Sequence, residues 1–178
     1  MIRAPFDRPE VLAKLRPAYA AARSLILPGA ADPAALPRAR LRRFDLANRG
    51  RYDFADLRAA GLASELRGFA EALTGARLRP FSLRLYSFRH GGYALFYDDA
   101  LTRVDAGVEV TVDLSAAMAG PPAVYQLGNS GRLEIPQSPG LVAVVERGPA
   151  TWRYDRYLPA AVGRARVLRL RAAYSFAD

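Results

Sequence analysis

Apolar residues follow a helical period in the first 75 residues of the chain. In residues 7–25 they recur on one face of a helix, inside which Pro17 is expected to produce a kink or a restart. A second segment, FADLRAAGLASELRGFAEALTG at 54–75, has the same spacing and stops at Gly75. The pattern therefore predicts two N-terminal helices, with a loop at 28–37 after the first.

Beyond Gly75 the pattern is that of short strands. In GVEVTVDLS at 107–115, four apolar residues alternate with Glu109, Thr111 and Asp113, which predicts a strand with one buried face. Similar runs occupy 77–88, 93–99, 123–127, 131–136, 140–146, 151–158 and 165–176. Between the two helices, a weaker run occupies 38–46. Eight strands after two helices predict an α+β, mainly β fold: a double-stranded β-helix (jelly roll) braced by about two N-terminal helices.

The length of the chain limits the number of domains. With 178 residues, of which 51% are hydrophobic, the chain can bury one sizeable core but is short for two. We therefore expect a single domain over 1–178, with helical support in 1–75 and the jelly-roll core in 76–178. No apolar run reaches the roughly 20 residues that cross a bilayer, and the first residues lack the apolar segment of a signal peptide. We expect no membrane partner and a cytoplasmic location.

Cysteine is absent, and His90 is the only histidine. Without cysteine the chain can form no disulfide, no thiolate zinc site, no iron–sulfur cluster and no cysteine nucleophile. With one histidine, a single copy cannot assemble a metal site with two imidazole ligands. Any chemistry must use carboxylates, tyrosines, arginines, serines and backbone groups.

The formal net charge of +9 raises nucleic acid as a partner. Lys14 is the only lysine, however, and the arginines are dispersed along an alanine-rich chain, which indicates a coding bias rather than a local binding patch. No nucleic-acid-binding motif accompanies the charge. Nucleic-acid binding is therefore possible but not favoured.

The stretch GGYALFYDD at 91–99 carries the most specific pattern in the sequence. A glycine pair and Tyr93 lead through apolar residues into Tyr97-Asp98-Asp99. This resembles the prolyl 4-hydroxylase-like branch of the 2-oxoglutarate and iron(II)-dependent oxygenases, in which a similar approach leads into His-x-Asp. The resemblance implies that Tyr97 holds the position of the first histidine and Asp99 that of the aspartate, and that Tyr93 contributes to the site of an anion similar to 2-oxoglutarate.

The resemblance continues over about the last hundred residues. Thr151-Trp152-Arg153-Tyr154 falls where the family has its second metal-binding histidine, so that Arg153 or Tyr154 holds that position. Iron(II) in this family is bound by two imidazoles and one carboxylate. We therefore expect no bound metal at the degenerate positions Tyr97, Asp99, Arg153 and Tyr154; if the protein is active, its cofactors are iron(II) and 2-oxoglutarate.

The final strand of the family should carry the basic residue that pairs with 2-oxoglutarate. Counting back from Phe176 in steps of two leads through mainly apolar residues to Arg166 and Arg164, whereas Arg169 and Arg171 point the other way. With the apolar face taken as the inside of the barrel, Arg166 is the first choice for the anion site and Arg164 the second. Alternatively, both lie beyond the end of the barrel in solvent.

Arg153 offers a physical replacement for the missing metal. At the second histidine position, its guanidinium could pair with Asp99 or Asp98 as an internal ion pair. Alternatively, the two aspartates begin a polar loop and Arg153 is exposed.

Three functions remain open. The first is a degenerate oxygenase-like protein that has lost its iron site and binds a small anionic ligand or a protein partner. The second is an active but atypical 2-oxoglutarate-dependent dioxygenase (hydroxylase). The third is a basic nucleic-acid-binding protein.

Overall fold

The computed structural model describes residues 1–35, 37–47, 49–99, 106–117, 120–128 and 131–177, without the side chain of Tyr97. Helix α1 spans Pro9–Ala22 and helix α2 spans Ala60–Thr74, followed by Gly75 with φ 77°. Helix α1 passes through Pro17 as one element, so it does not restart there. No helix of the described residues is long and apolar enough to cross a bilayer.

Ten strands form two antiparallel sheets. They are β1 Ser24–Leu27, β2 Arg42–Asp45, β3 Arg51–Asp56, β4 Leu78–Phe88, β5 Gly107–Asp113, β6 Ala123–Leu127, β7 Gly131–Ile135, β8 Val142–Arg147, β9 Thr151–Asp155 and β10 Val167–Phe176. The major sheet has the order β1-β8-β5-β10-β4-β3-β2, and the minor sheet has the order β7-β6-β9. The predicted fold class, α+β and mainly β with a jelly roll and two N-terminal helices, is confirmed.

The first 75 residues contribute more than helical support. Strand β1 lies at one edge of the major sheet beside β8, and β2 and β3 extend the other edge beyond β4. The predicted division at residue 76 is therefore too sharp, since strands on both sides of it share one sheet.

The segment 93–99 is not the predicted strand. Tyr93 and Ala94 make only isolated bridges, and Phe96–Asp99 forms a single helical turn, α3. The side chain of Asp98 explains the turn, because its Oδ2 accepts the backbone N–H of Leu95 at 2.7 Å, as an acidic residue does in the first turn of a helix.

Two apolar layers lie on opposite faces of the major sheet. Helices α1 and α2 pack on one face over Val108, Val110 and Val112 of β5, while the minor sheet covers the other. Every residue of β5 is buried, including Glu109 and Thr111 on the face toward the minor sheet. The prediction of one buried face was wrong, because the polar side of this strand lies inside the barrel.

Candidate functional site

A group of charged side chains fills the space between the two sheets. These side chains come from α3, β5, β8, β9 and β10, and each is at most 4% exposed. We call them the buried charge cluster: Asp99, Glu109, Arg147, Arg153, Asp155, Arg169 and Arg171. Buried charges are stable only when they are paired and hydrogen-bonded, so the contacts of each carboxylate decide what the site can do.

Asp99 is held by two arginines. Arg147 Nη2 donates to its Oδ2 at 2.5 Å, and the backbone N–H of Arg153 donates to the same oxygen at 2.9 Å. Arg153 Nη2 lies 3.3 Å from Oδ1. The predicted ion pair between Arg153 and Asp99 is therefore present, and the alternative of an exposed Arg153 is wrong.

Glu109 lies at the centre of the cluster. Its Oε1 accepts hydrogen bonds from Arg153 Nη1 at 2.5 Å and from the Tyr125 hydroxyl at 2.5 Å, while Arg147 Nη1 donates to its Oε2 at 3.1 Å. Burial alone would raise the pKa of Glu109, but Arg153, Arg147 and Arg171 together lower it to about 2. Burial and the Glu109 charge raise the pKa of Tyr125, which keeps that hydroxyl a neutral donor.

Asp155 pairs with the arginines of the last strand. Arg171 binds it with both terminal nitrogens, Nη1 to Oδ2 at 2.9 Å and Nη2 to Oδ1 at 2.7 Å, and Arg169 Nη1 also donates to Oδ1. Burial acts to raise the pKa of Asp155, but Arg171 and Arg169 hold it below its usual range. Arg171 thus makes the fork-shaped contact that guanidinium groups make with carboxylates.

Aromatic rings complete the surroundings of these arginines. The guanidinium of Arg171 lies 4.8 Å from the ring centroid of Tyr86, that of Arg153 lies 5.7 Å from the same ring, and that of Arg147 lies 5.5 Å from the ring of Tyr125. At these distances the electron-rich ring faces stabilise cations that have lost their water.

The residues of the cluster do not fit iron(II). Within the described part of the chain, four guanidinium groups face three carboxylates, and each carboxylate already binds at least two arginines. Among those residues no group of three or more histidine, cysteine or acidic side chains could hold a metal ion. A divalent cation would meet positive charge at short range in a site of low dielectric constant.

Tyr154, another predicted metal position, lies outside the buried charge cluster. Tyr154 points away from the cluster, and its ring meets Phe96 edge-on at 4.7 Å, so Arg153 is the residue that faces Asp99. The side chain of Tyr97 lies outside the described residues. Asp98 is buried but stands apart from the cluster, because its Oδ2 accepts the backbone N–H groups of Gly50 and Leu95.

Arg164 and Arg166 are exposed and precede β10. The strand alternates as predicted, but the apolar face, which includes Leu170 and Tyr174, packs under the helices rather than inside the barrel. The assignment of that face to the interior was wrong, and the inward arginines are those of the opposite parity. The alternative position of Arg164 and Arg166 in solvent agrees with the structure.

Tyr93 lines an open groove of about 380 Å³ on the surface. The other residues that define this tyrosine groove are Ala94, Leu95, Tyr154, Asp155, Arg156 and Tyr157. His90 lies beside it, with its ring 6.2 Å from that of Tyr157. Tyr154 of the groove and Arg153 of the buried charge cluster lie on opposite faces of β9, and Asp155 borders both.

The sequence pattern did not identify most members of the buried charge cluster. Glu109, Arg147 and Asp155 were not assigned to a charged site, and Arg169 and Arg171 were placed on the outside. The available signal was a charged residue within or at the end of an otherwise apolar strand, as in VAVVER at 142–147 and VLRLR at 167–171.

No family model and no curated protein matches the sequence. Solved structures do match: an oxidoreductase of the 2OG-Fe(II) oxygenase family from Burkholderia pseudomallei has a TM-score of 0.67 at 13% identity, covering 94% of this chain and 90% of that one. A Pseudomonas putida prolyl-4-hydroxylase gives 0.62 at 12% identity, with 94% and 100% covered. A Trichoplax adhaerens prolyl hydroxylase, in complex with a peptide fragment of the hypoxia inducible factor oxygen degradation domain, gives 0.64 at 10% identity, with 94% and 90% covered. The chain therefore has the jelly-roll fold of the 2-oxoglutarate oxygenases.

Proposed function

We propose that this protein is a pseudoenzyme with the oxygenase fold, which has no iron site and acts as an interaction module. The observation that carries the proposal is the pairing of Asp99 with Arg147 and Arg153. The carboxylate that the resemblance assigns to the metal is bound by guanidinium groups of the same chain. Positive charge thus stands beside Asp99 without any metal.

The pair formed by Asp155 and Arg171 supports the same proposal. In the family that the sequence resembles, a basic residue of the final strand binds the carboxylate of 2-oxoglutarate. Here the inward arginines of the final strand bind the carboxylate of Asp155. Binding of 2-oxoglutarate by these arginines would have to break a buried ion pair, which is costly.

The surface of the molecule supports the interaction role. One structural neighbour is a prolyl hydroxylase in complex with a peptide fragment. The tyrosine groove is open to solvent and lined by aromatic and arginine side chains, which are enriched in protein interfaces. We therefore place the binding function at the surface rather than in the filled interior.

Metal content tests the proposal. The purified protein is incubated without oxygen with iron(II) and 2-oxoglutarate, desalted, and analysed by elemental mass spectrometry; consumption of 2-oxoglutarate is then followed in air. We expect substoichiometric iron and no consumption above a protein-free control. One equivalent of iron that is lost in Asp99→Asn would contradict the absence of an iron site, and turnover of 2-oxoglutarate would establish an active atypical dioxygenase.

A further inference from the structure

The outer face of the minor sheet carries a group of aromatic and arginine side chains that the buried cluster does not use. Strands alternate their side chains, so Trp152 and Tyr154 lie on the face opposite to Arg153. The register places Gln126 beside both Trp152 and Arg132, which extends this face across the sheet to β7. The tyrosine groove lies at one end of the same face.

Large rings on this face are exposed to solvent. Tyr157 is 55% exposed and its ring centroid lies 6.5 Å from that of Tyr93, while Phe96 is 41% exposed beside Tyr154. Exposed aromatic rings grouped around a groove are typical anchors of binding interfaces. The groove is large enough to take an apolar or aromatic side chain of a partner.

The charges around the groove are unbalanced toward the positive. Glu134 is shared by Arg132 and by Arg156, whose Nη2 lies 2.7 Å from Oε1. Two guanidinium groups therefore compete for one carboxylate at the rim. Both remain partly exposed, so each can also meet a negative group of a partner.

The same imbalance occurs on the other side of Tyr93, whose backbone pairs with that of Arg51. Arg51 lies 3.0 Å and Arg43 lies 3.4 Å from Asp45. Arg43 also lies 3.4 Å and Arg89 lies 2.9 Å from Asp53, so three arginines share two carboxylates here. Arginines in excess of carboxylates thus flank the groove on both sides. The charge of the face agrees with the formal net charge of +9.

From these rings and charges we infer that the outer face of the minor sheet binds an acidic segment of a partner protein, with one apolar or aromatic side chain in the tyrosine groove. The inference rests on the proposed interaction function and names its partner class. Carboxylates of the segment pair with Arg156 and its neighbours, and the anchor packs against Tyr157 and Tyr93. Electrostatic attraction of this kind depends on salt, whereas the buried anchor depends on the rings.

A dye-labelled copolymer of glutamate and tyrosine tests this inference by fluorescence anisotropy. We expect saturable binding that weakens as salt increases and that is stronger than binding of polyglutamate, which lacks the anchor. Tyr157→Ala and Arg156→Glu should each weaken binding about tenfold, the effect of a typical interface anchor.

Matched controls separate the face from general surface effects. Phe81 is also 55% exposed but lies on β4, so Phe81→Ala should bind the copolymer as the wild type does. Arg58→Glu makes the same charge change as Arg156→Glu at an exposed arginine that does not line the groove. Circular dichroism shows that each variant is folded.

Several results would overturn the inference. Binding of oligothymidylate as tight as that of the copolymer would indicate that the partner is a nucleic acid. Equal affinity for polyglutamate and the copolymer, with no effect of Tyr157→Ala, would show that binding depends on net charge alone. Absence of binding at low salt would show that the outer face of the minor sheet does not bind an acidic segment. None of these outcomes changes the iron measurement, so the pseudoenzyme proposal stands or fails separately.

Discussion

Arg153 contacts Asp99 with both its backbone and its side chain. Its N–H donates to Oδ2 at 2.9 Å, and its Nη2 lies 3.3 Å from Oδ1. One residue of β9 therefore fixes the position of the α3 turn against the edge of the minor sheet. The same contact neutralises a carboxylate that lies in the interior of the barrel.

Asp99→Asn tests the stability of this arrangement. The substitution leaves Arg147 buried with a weaker partner, so the free energy of unfolding should fall by about 3–5 kcal/mol. Urea denaturation followed by circular dichroism measures the loss. Asp56→Asn, which removes the exposed partner of Arg42 and Arg84, should cost no more than about 1 kcal/mol. Equal losses in the two variants would show that the buried pairing has no special role.

Acid should destabilise the protein through Glu109. The pKa of this carboxyl is lowered from 4.5 to about 2 in the folded chain, so the unfolded state binds a proton first as the pH falls. The stabilisation is complete above about pH 4.5 and is lost between there and about pH 2. Urea titrations over this range should show a steep fall in the free energy of unfolding.

Glu109→Gln should flatten that pH profile, whatever its own stability at neutral pH. The exposed carboxylate of Glu134 provides the control, because Glu134→Gln should keep the slope of the wild type. A wild-type slope in Glu109→Gln would assign the acid sensitivity to other groups.

Tyr125→Phe removes the hydrogen bond of this hydroxyl to Glu109 together with its contact to the Thr111 hydroxyl at 3.1 Å. The hydroxyl donates to the charged Glu109 at 2.5 Å, so its removal should cost about 1.5–3 kcal/mol. In Tyr174→Phe, the lost bond is one to the neutral carbonyl of Ala63 at 2.9 Å, and the cost should be about 1 kcal/mol. Thermal and urea denaturation of both variants give the comparison, and a larger cost for Tyr174→Phe would contradict the charge-assisted bond.

The sequence predicted the layers of this fold better than it predicted what lies between them. The alternation in 107–115 correctly identified a strand, but Glu109 looked like a solvent-facing residue because its partners Arg147 and Arg153 come from other strands. Whether a polar face is buried depends on such partners from distant parts of the chain. The hydrophobic periodicity of a single strand does not reveal them. For the same reason, the sequence predicted the wrong arginines of β10 to point into the barrel. Both faces of this strand are covered, so the apolar face alone does not identify the interior.

The pair of Asp99 and Arg153 was predictable because the family resemblance assigns both residues to one site. The turn at 96–99 was not predictable from the sequence. Its apolar and aromatic residues favour a strand, whereas the local hydrogen bond from Leu95 to Asp98 favours a helix. A local side-chain bond of this kind overrides propensity in so short a segment.

Gly107→Ala tests the packing of β5 against β10. A Cβ atom at this position would lie 1.9 Å from the carbonyl oxygen of Tyr174, so the two strands would have to separate. We expect a large loss of stability, measurable by thermal denaturation, or insoluble protein. Gly68→Ala in α2, where a Cβ atom meets nothing within 4 Å, should instead stabilise the chain by up to about 1 kcal/mol. Similar melting temperatures for the two variants would contradict the tight approach of the strands.

The position of β10 in the major sheet has a consequence for how the chain folds during synthesis. The strand lies between β5 and β4, so it joins β1-β8-β5 to β4-β3-β2. Until residues 167–176 leave the ribosome, these two halves share no strand neighbour, and the facing edges of β4 and β5 have unpaired backbone groups. Such edges are open to pairing with other chains. A chain that ends within the last strand would therefore be prone to aggregation, although it would already contain helices α1 to α3 and nine of the ten strands that the structure describes.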